Sequence, residues 1–147
     1  MKLKCGHIRT EEELQQAFAV RREVFVDEQK VPIEEEMDAF DTLTATCRHY
    51  LATVDGVPVG AARWREYEPG TAKLQRIAVV RPWRGQGIGQ RLVEAMELDA
   101  TTLGYRRAVL DAQTAAERFY RKLGYATETT APFLDAGIPH VRMSKRL

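Results

Sequence analysis

The period of the apolar positions changes several times along this chain, and each change marks an element. Thr10 and Glu13 form a Thr-x-x-Glu pair of capping-box type, and Leu14, Ala17, Phe18, Val24 and Phe25 then recur at helical spacing. From Asp27 to Asp41 the pattern fails. Pro32 and many acids interrupt it, so this segment reads as a loop or a broken helix. The stretch HYLATVDGVPVGAARWREY carries two strand-like runs around Asp55-Gly56, a dipeptide suited to a two-residue hairpin turn. Pro69-Gly70 marks a further turn, and AKLQRIAVV follows as a third strand. Between Gly87 and Leu103, apolar residues at 88, 92, 93, 96 and 103 give an amphipathic helix that Gly104 ends. RRAVLDA reads as a short strand, TAAERFYRKL as a helix stopped by Gly124, and GIPHVRMSKRL as a return to the sheet.

The order is therefore helix, a meander of three strands, helix, strand, helix, strand. Tight hairpins require antiparallel pairing, whereas the strand–helix–strand unit across residues 72–111 requires a parallel pair. The expectation is one α/β domain over residues 1–147, with a mixed, mostly antiparallel sheet and helices on both faces.

Composition narrows the chemistry. A formal net charge of +1 gives no reason to expect nucleic acid or a membrane as partner. No stretch approaches the ~20 apolar residues that span a bilayer, and the lysines at the start are not followed by an apolar run. Cys5 and Cys47 are the only cysteines, with no CxxC spacing, which reads as two ordinary thiols in a reducing, cytoplasmic setting. No metal-ligand spacing stands out. A homodimer is left open.

The segment RPWRGQGIG directly follows the apolar run LQRIAVV. Three glycines so close to a strand end point to a backbone requirement, most simply an anion held by N–H groups where a helix begins. A Walker loop needs Lys followed by Ser or Thr after its last glycine, but Gly89 is followed by Gln90-Arg91. A dinucleotide fingerprint fits in part. Counted from Gly85, Gln90 occupies the last glycine position. Counted from Gly87, Asp111 stands where a ribose-binding acid would, but too little chain remains for a second mononucleotide unit. The third reading is R-x-x-G-x-G, formed by Arg84, Gly87 and Gly89.

This third pattern resembles the pyrophosphate loop of the GNAT superfamily of N-acetyltransferases. LQRIAVVRPWRGQGIGQRLVEAM is similar to that family's core strand and helix, and AERFYRKLGYA to its later helix. VRREVFVDEQKVP and DAGIPHVRM resemble an uncharacterised bacterial subgroup of it. The resemblance implies acetyl-coenzyme A as cosubstrate, without a metal, and direct transfer to a primary amine of a small molecule or peptide. It implies a diphosphate held by the loop from Arg84 through Gly85, Gln86, Gly87, Ile88, Gly89 and Gln90. It also implies a backbone N–H at Ala78 or Val79 facing the thioester oxygen, and Tyr120 as the acid that protonates the departing thiolate. The residues leave the base open among Glu28, Glu34, Glu35, Glu36, Asp38 and His140. Of these, His140 is the residue of a type well placed to accept an ammonium proton. The acids from Asp27 to Asp41 read either as a solvated loop or as a rim that attracts a cationic amine. The rival functions are a coenzyme A sensor without catalysis and a nucleotide-binding domain built on Gly85–Gly89 and Asp111.

Overall fold

The computed structural model describes residues 1–147. Eight strands form one sheet in the order β1-β2-β3-β4-β5-β8-β6, with β7 paired to β8. The strands are β1 (Leu3–His7), β2 (Cys47–Val54), β3 (Val57–Glu68), β4 (Thr71–Val79), β5 (Arg107–Gln113), β6 (Ala126–Thr127), β7 (Phe133–Asp135) and β8 (Ile138–Arg146). Only β4 and β5 run parallel, joined by the crossover helix α3 (Ile88–Thr102). Three strands go beyond the sequence expectation: β1 on one edge, and the short β6 and β7 beside β8.

Helices cover both faces. Helix α1 (Glu11–Arg21) starts at the Thr10–Glu13 capping box and continues as a π-helix, Arg22–Glu28. After Pro32 the short α2 (Ile33–Glu36) completes this layer. On the opposite face α3 buries Ile88, Leu92, Val93, Met96 and Ala100. Gly60 marks how close α3 comes to the sheet: a Cβ there would stand 3.0 Å from Leu92 and 3.2 Å from Ile88. Helix α4 (Glu117–Lys122), preceded by a 3-10 turn at Thr114–Ala116, lies on the α3 face.

Two irregularities create the site. Strands β4 and β5 pair only from Thr71↔Arg107 to Leu74↔Leu110, although β4 runs on to Val79 and β5 to Gln113. Beyond Leu74 the two strands part in a V. In the same stretch β4 carries one extra residue against β3 between Ala61 and Arg63. Arg76 absorbs it with φ 56°, the left-handed conformation of a bulge.

Candidate active site

The V opens into a cleft of about 550 Å³ that reaches both faces of the sheet. Side-chain alternation sorts its walls. Gln75, Asp111, Gln113 and His140 project on the α1 face, while Ala116 and Tyr120 stand on the α3 face.

On the α3 face the glycine loop leads into α3. Gly85 and Gly87 adopt φ 78° and 79°, and a side chain's first carbon at either would meet nothing within 4 Å. Gly87 is the N-cap of α3 and brings no capping side chain, and Arg91 is the first residue of the helix whose N–H reaches a backbone acceptor, Gly87 O at 3.1 Å. The N–H groups of Ile88, Gly89 and Gln90 are therefore free at the positive end of a fifteen-residue helix that has no acid in its first turn. Gln86 is exposed beside them. Such an arrangement favours an anion by geometry and by charge. Gly89 has a separate duty, since a Cβ there would stand 3.2 Å from the ring of Phe119, the neighbour of Tyr120 on α4.

Arg84 is committed within the protein. Its Nε donates to Val79 O at 2.8 Å, and its two terminal nitrogens hold Glu28 at 2.7 and 2.8 Å. The Arg84 guanidinium holds the Glu28 carboxyl at about 2, well below its ordinary range. Arg84 thus ties the π-helix to the end of β4. The antiparallel ladder also separates the two backbone candidates. Val80 N–H donates to Val59 O, so alternation turns Ala78 N–H toward β3 and Val79 N–H toward the cleft.

Tyr120 is 8% exposed and borders the cleft. Burial is the one cause that raises its pKa, so the phenol keeps its proton throughout the physiological range. His140 stacks on Phe133 at 6.1 Å, and its Nδ1 lies 2.6 Å from Ile138 O. A carbonyl only accepts, so in the neutral ring Nδ1 carries the proton and Nε2 the lone pair. Across the opening on this face, Gln113 Nε2 donates to Gln29 Oε1 at 2.8 Å, linking β5 to the segment after the π-helix.

Part of the acidic segment departs from the expectation of a solvated loop or an attracting rim: Asp27, Glu34 and Glu35 are exposed, but Glu36, Asp38 and Asp41 fold onto three arginines. Arg21 binds Glu36 at 2.7 Å and Asp41 at 2.6 Å. Arg63 binds Asp41 at 2.7 Å and Asp38 at 2.6 Å. Arg76 approaches Glu36 and Asp38 at 3.5 Å each. The reason is the burial of Arg21 and Arg63, both 1% exposed, because charges out of water must be matched. Glu28, Glu36 and Asp38 are therefore ion-pair partners rather than bases, and Glu34 does not line the cleft. Glu35 and Asp135 remain on its lips, exposed and without ion pairs. Asp111 is held by Arg142 and Lys73 on the α1 face, away from the glycine loop, which removes it from any ribose-binding role. Cys5 and Cys47 lie outside the cleft, and burial pushes the Cys47 thiol up to about 11, so neither serves as a nucleophile there. No cluster of His, Cys, Asp and Glu is arranged to hold a metal ion, and no helix is long and apolar enough to cross a membrane.

Comparison with known proteins gives consistent results. A family model described as an acetyltransferase (GNAT) domain matches residues 9–147. The chain is 44% identical to YjcF of Bacillus subtilis, an uncharacterised N-acetyltransferase, over 97% of this chain and 99% of that one. It is similar to an acyl-CoA N-acyltransferase structure from Pseudomonas aeruginosa, with 30% identity, a TM-score of 0.82 and 98% of both chains covered. PaiA N-acetyltransferase of Thermoplasma acidophilum, solved in complex with coenzyme A, shares the fold at a TM-score of 0.76 and 17% identity, with 100% of both chains covered.

Proposed function

This chain belongs to the GNAT family of acetyltransferases, and we propose that it transfers the acetyl group of acetyl-coenzyme A directly to a primary amine of a small molecule or peptide. The observation that carries the reading is the V between β4 and β5, which joins two unlike half-sites through the sheet. Free N–H groups and a protonated phenol stand on the α3 face, and a basic imidazole nitrogen on the α1 face. Bound acetyl-coenzyme A supplies the activated acyl group as a thioester. The N–H groups from Gly85 to Gln90 hold its diphosphate, with glycine at 87 required by the left-handed turn. Val79 N–H faces the thioester oxygen as it gains charge. His140 Nε2 takes a proton from the acceptor nitrogen, and the Tyr120 hydroxyl gives one to the leaving sulfur. The C–N bond forms as the C–S bond breaks, and the proton count balances without a covalent enzyme intermediate. The two free thiols suit a cytoplasmic setting.

The test is Tyr120→Phe assayed by thiol release against an amine found by screening alkylamines, polyamines, amino sugars and peptide N-termini. The kcat falls by about 10²-fold, the usual scale for loss of a general acid, while coenzyme A affinity by calorimetry stays within error. An unchanged kcat under conditions where chemistry limits turnover reduces Tyr120 to a packing residue.

A further inference from the structure

The α1 face of the sheet continues past the V toward its closed end, and there the charges do not balance. Arg65 and Lys73 stand opposite each other on β3 and β4, and Asp111 stands opposite Arg142 on β5 and β8. Arg142 holds Asp111 at 2.8 and 3.0 Å, and Lys73 Nζ lies 3.4 Å from the same carboxylate. Arg142 also donates to the Tyr67 hydroxyl at 2.8 Å, so that oxygen accepts and its own proton is free to donate. Both cations lie over the Tyr67 ring, Lys73 Nζ at 5.3 Å and Arg142 Cζ at 5.1 Å. Arg65 has no carboxylate partner. It stacks on Phe40 at 4.9 Å, and its Nε is shut from solvent with no acceptor. Three cations thus face one carboxylate, with donors in excess and an orphaned buried donor among them.

The neighbouring acids do not repair this excess. Glu36, Asp38 and Asp41 belong to the arginine cluster under α1, and Glu128 pairs with Arg107. Glu35 and Asp135 are unpaired, but they stand on the cleft's lips, at the open end. The cleft therefore has two poles. Its open end, with His140, offers carboxylates and a proton acceptor. Its closed end is lined by Lys73, whose cationic neighbours Arg142 and Arg65 and the Tyr67 ring stand on the same face of the sheet behind the cleft wall. Asp111 and Gln113, which mark the two ends on β5, are two strand residues apart, about 7 Å.

We infer that the acceptor is an amine bearing a carboxylate, laid along the V with its nitrogen at His140 and its carboxylate at Lys73, the cation that lines the closed end. Resting on the acetyl-transfer reading, this inference names the substrate class. Its test compares three aliphatic acceptors of matched length with the full chain: an alkylamine, an ω-amino carboxylate and a diamine. The amino carboxylate has the highest kcat/KM, by about tenfold, the order of one charge-assisted hydrogen bond. Within a series of chain lengths, the best substrate is the one whose amine and carboxylate lie about 7 Å apart. Lys73→Met narrows the ratio between amino carboxylate and alkylamine at least about fivefold, and Lys73→Arg restores it. An alkylamine or diamine that performs as well as the amino carboxylate in the unaltered protein overturns the inference, whether or not Lys73→Met folds. Acetylation of none of the three overturns the proposed reaction and this inference together.

Discussion

Arg63 and Arg65 are two residues apart on one strand and project from the same face, yet they lead opposite lives. Arg63 is 1% exposed, and its Nε and both terminal nitrogens are bonded: Nε to Gln75 at 3.2 Å, one terminal nitrogen to Asp38 and Asp41, the other to Asp38 at 2.6 Å. Arg65 has a backbone carbonyl and an aromatic ring, and no carboxylate. The difference follows from what covers them. The chain from α2 to Asp41 lies over Arg63 and supplies the carboxylates that its burial demands, whereas over Arg65 the same segment lays only the Phe40 ring. A cation whose partners all come from its own chain holds the fold. One without carboxylate partners leaves a charge that the fold does not neutralise.

Removing each charge in turn tests that distinction. Arg63→Met strands Asp38 and Asp41 without their shared cation, and urea unfolding shows a loss of about 3–5 kcal/mol, the usual cost of breaking a buried pair from one side. A loss under about 1 kcal/mol would mean that Arg21 and Arg76 suffice for the three acids.

Acid provides a second, smaller effect from the same cluster. Burial alone would raise the carboxyls of Asp38 and Asp41, but Arg63 and Arg21 outweigh it and hold both below their ordinary values. The unfolded chain then binds more protons than the folded one at low pH, so this contribution is complete above the unfolded carboxylate range and is lost progressively as pH falls from that range toward the depressed folded values. The melting temperature is flat from about pH 7 to 5 with respect to these groups and declines below about pH 4. In Arg63→Met the decline is shallower, and an equal slope in both proteins assigns acid sensitivity to other groups. The smallest stability effect belongs to Arg65→Met, within about 0.5 kcal/mol, because no carboxylate is left unpaired. A larger destabilisation would make Arg65 a structural residue.

Sequence patterns revealed the parts of this molecule that are built from neighbours along the chain. Helix α3 followed from its apolar spacing, the β2–β3 hairpin from Asp55-Gly56, and the start of α1 from Thr10 and Glu13, because each signal lies within a few residues. Strand β1 was not legible. Its Leu-Lys-Cys-Gly-His run is short, and its alternation is half hidden, since no residue in it is fully buried. The π-helix was invisible because Val24 and Phe25 fit ordinary helical spacing equally well. The fate of the acids between Glu28 and Asp41 depended on Arg63, Arg76 and Arg84, each far along the chain and brought near only by the sheet. The surplus of cations around Lys73 was hidden for the same reason, since its members come from three strands. The Gly85–Gly87 turn was the exception, a feature of the site whose geometry is written in consecutive residues.

The extra residue at Arg76 sets a rule for insertions and deletions. Before it, Gln75 faces α1; after it, Ala78 faces α1 and Val79 faces α3, where Val79 reaches within 3.9 Å of a Cβ built at Gly89. Parity along a strand is strict, so deleting one residue there without compensation exchanges the two faces for the rest of β4. Val79 would present its N–H to β3, and Ala78 its N–H to the cleft, while their side chains changed faces. Chains that share this cleft therefore tolerate length changes in the β2–β3 or β7–β8 turns far more readily than at this point of β4, and an alignment that opens a gap opposite Arg76 pairs residues from opposite sides of the sheet.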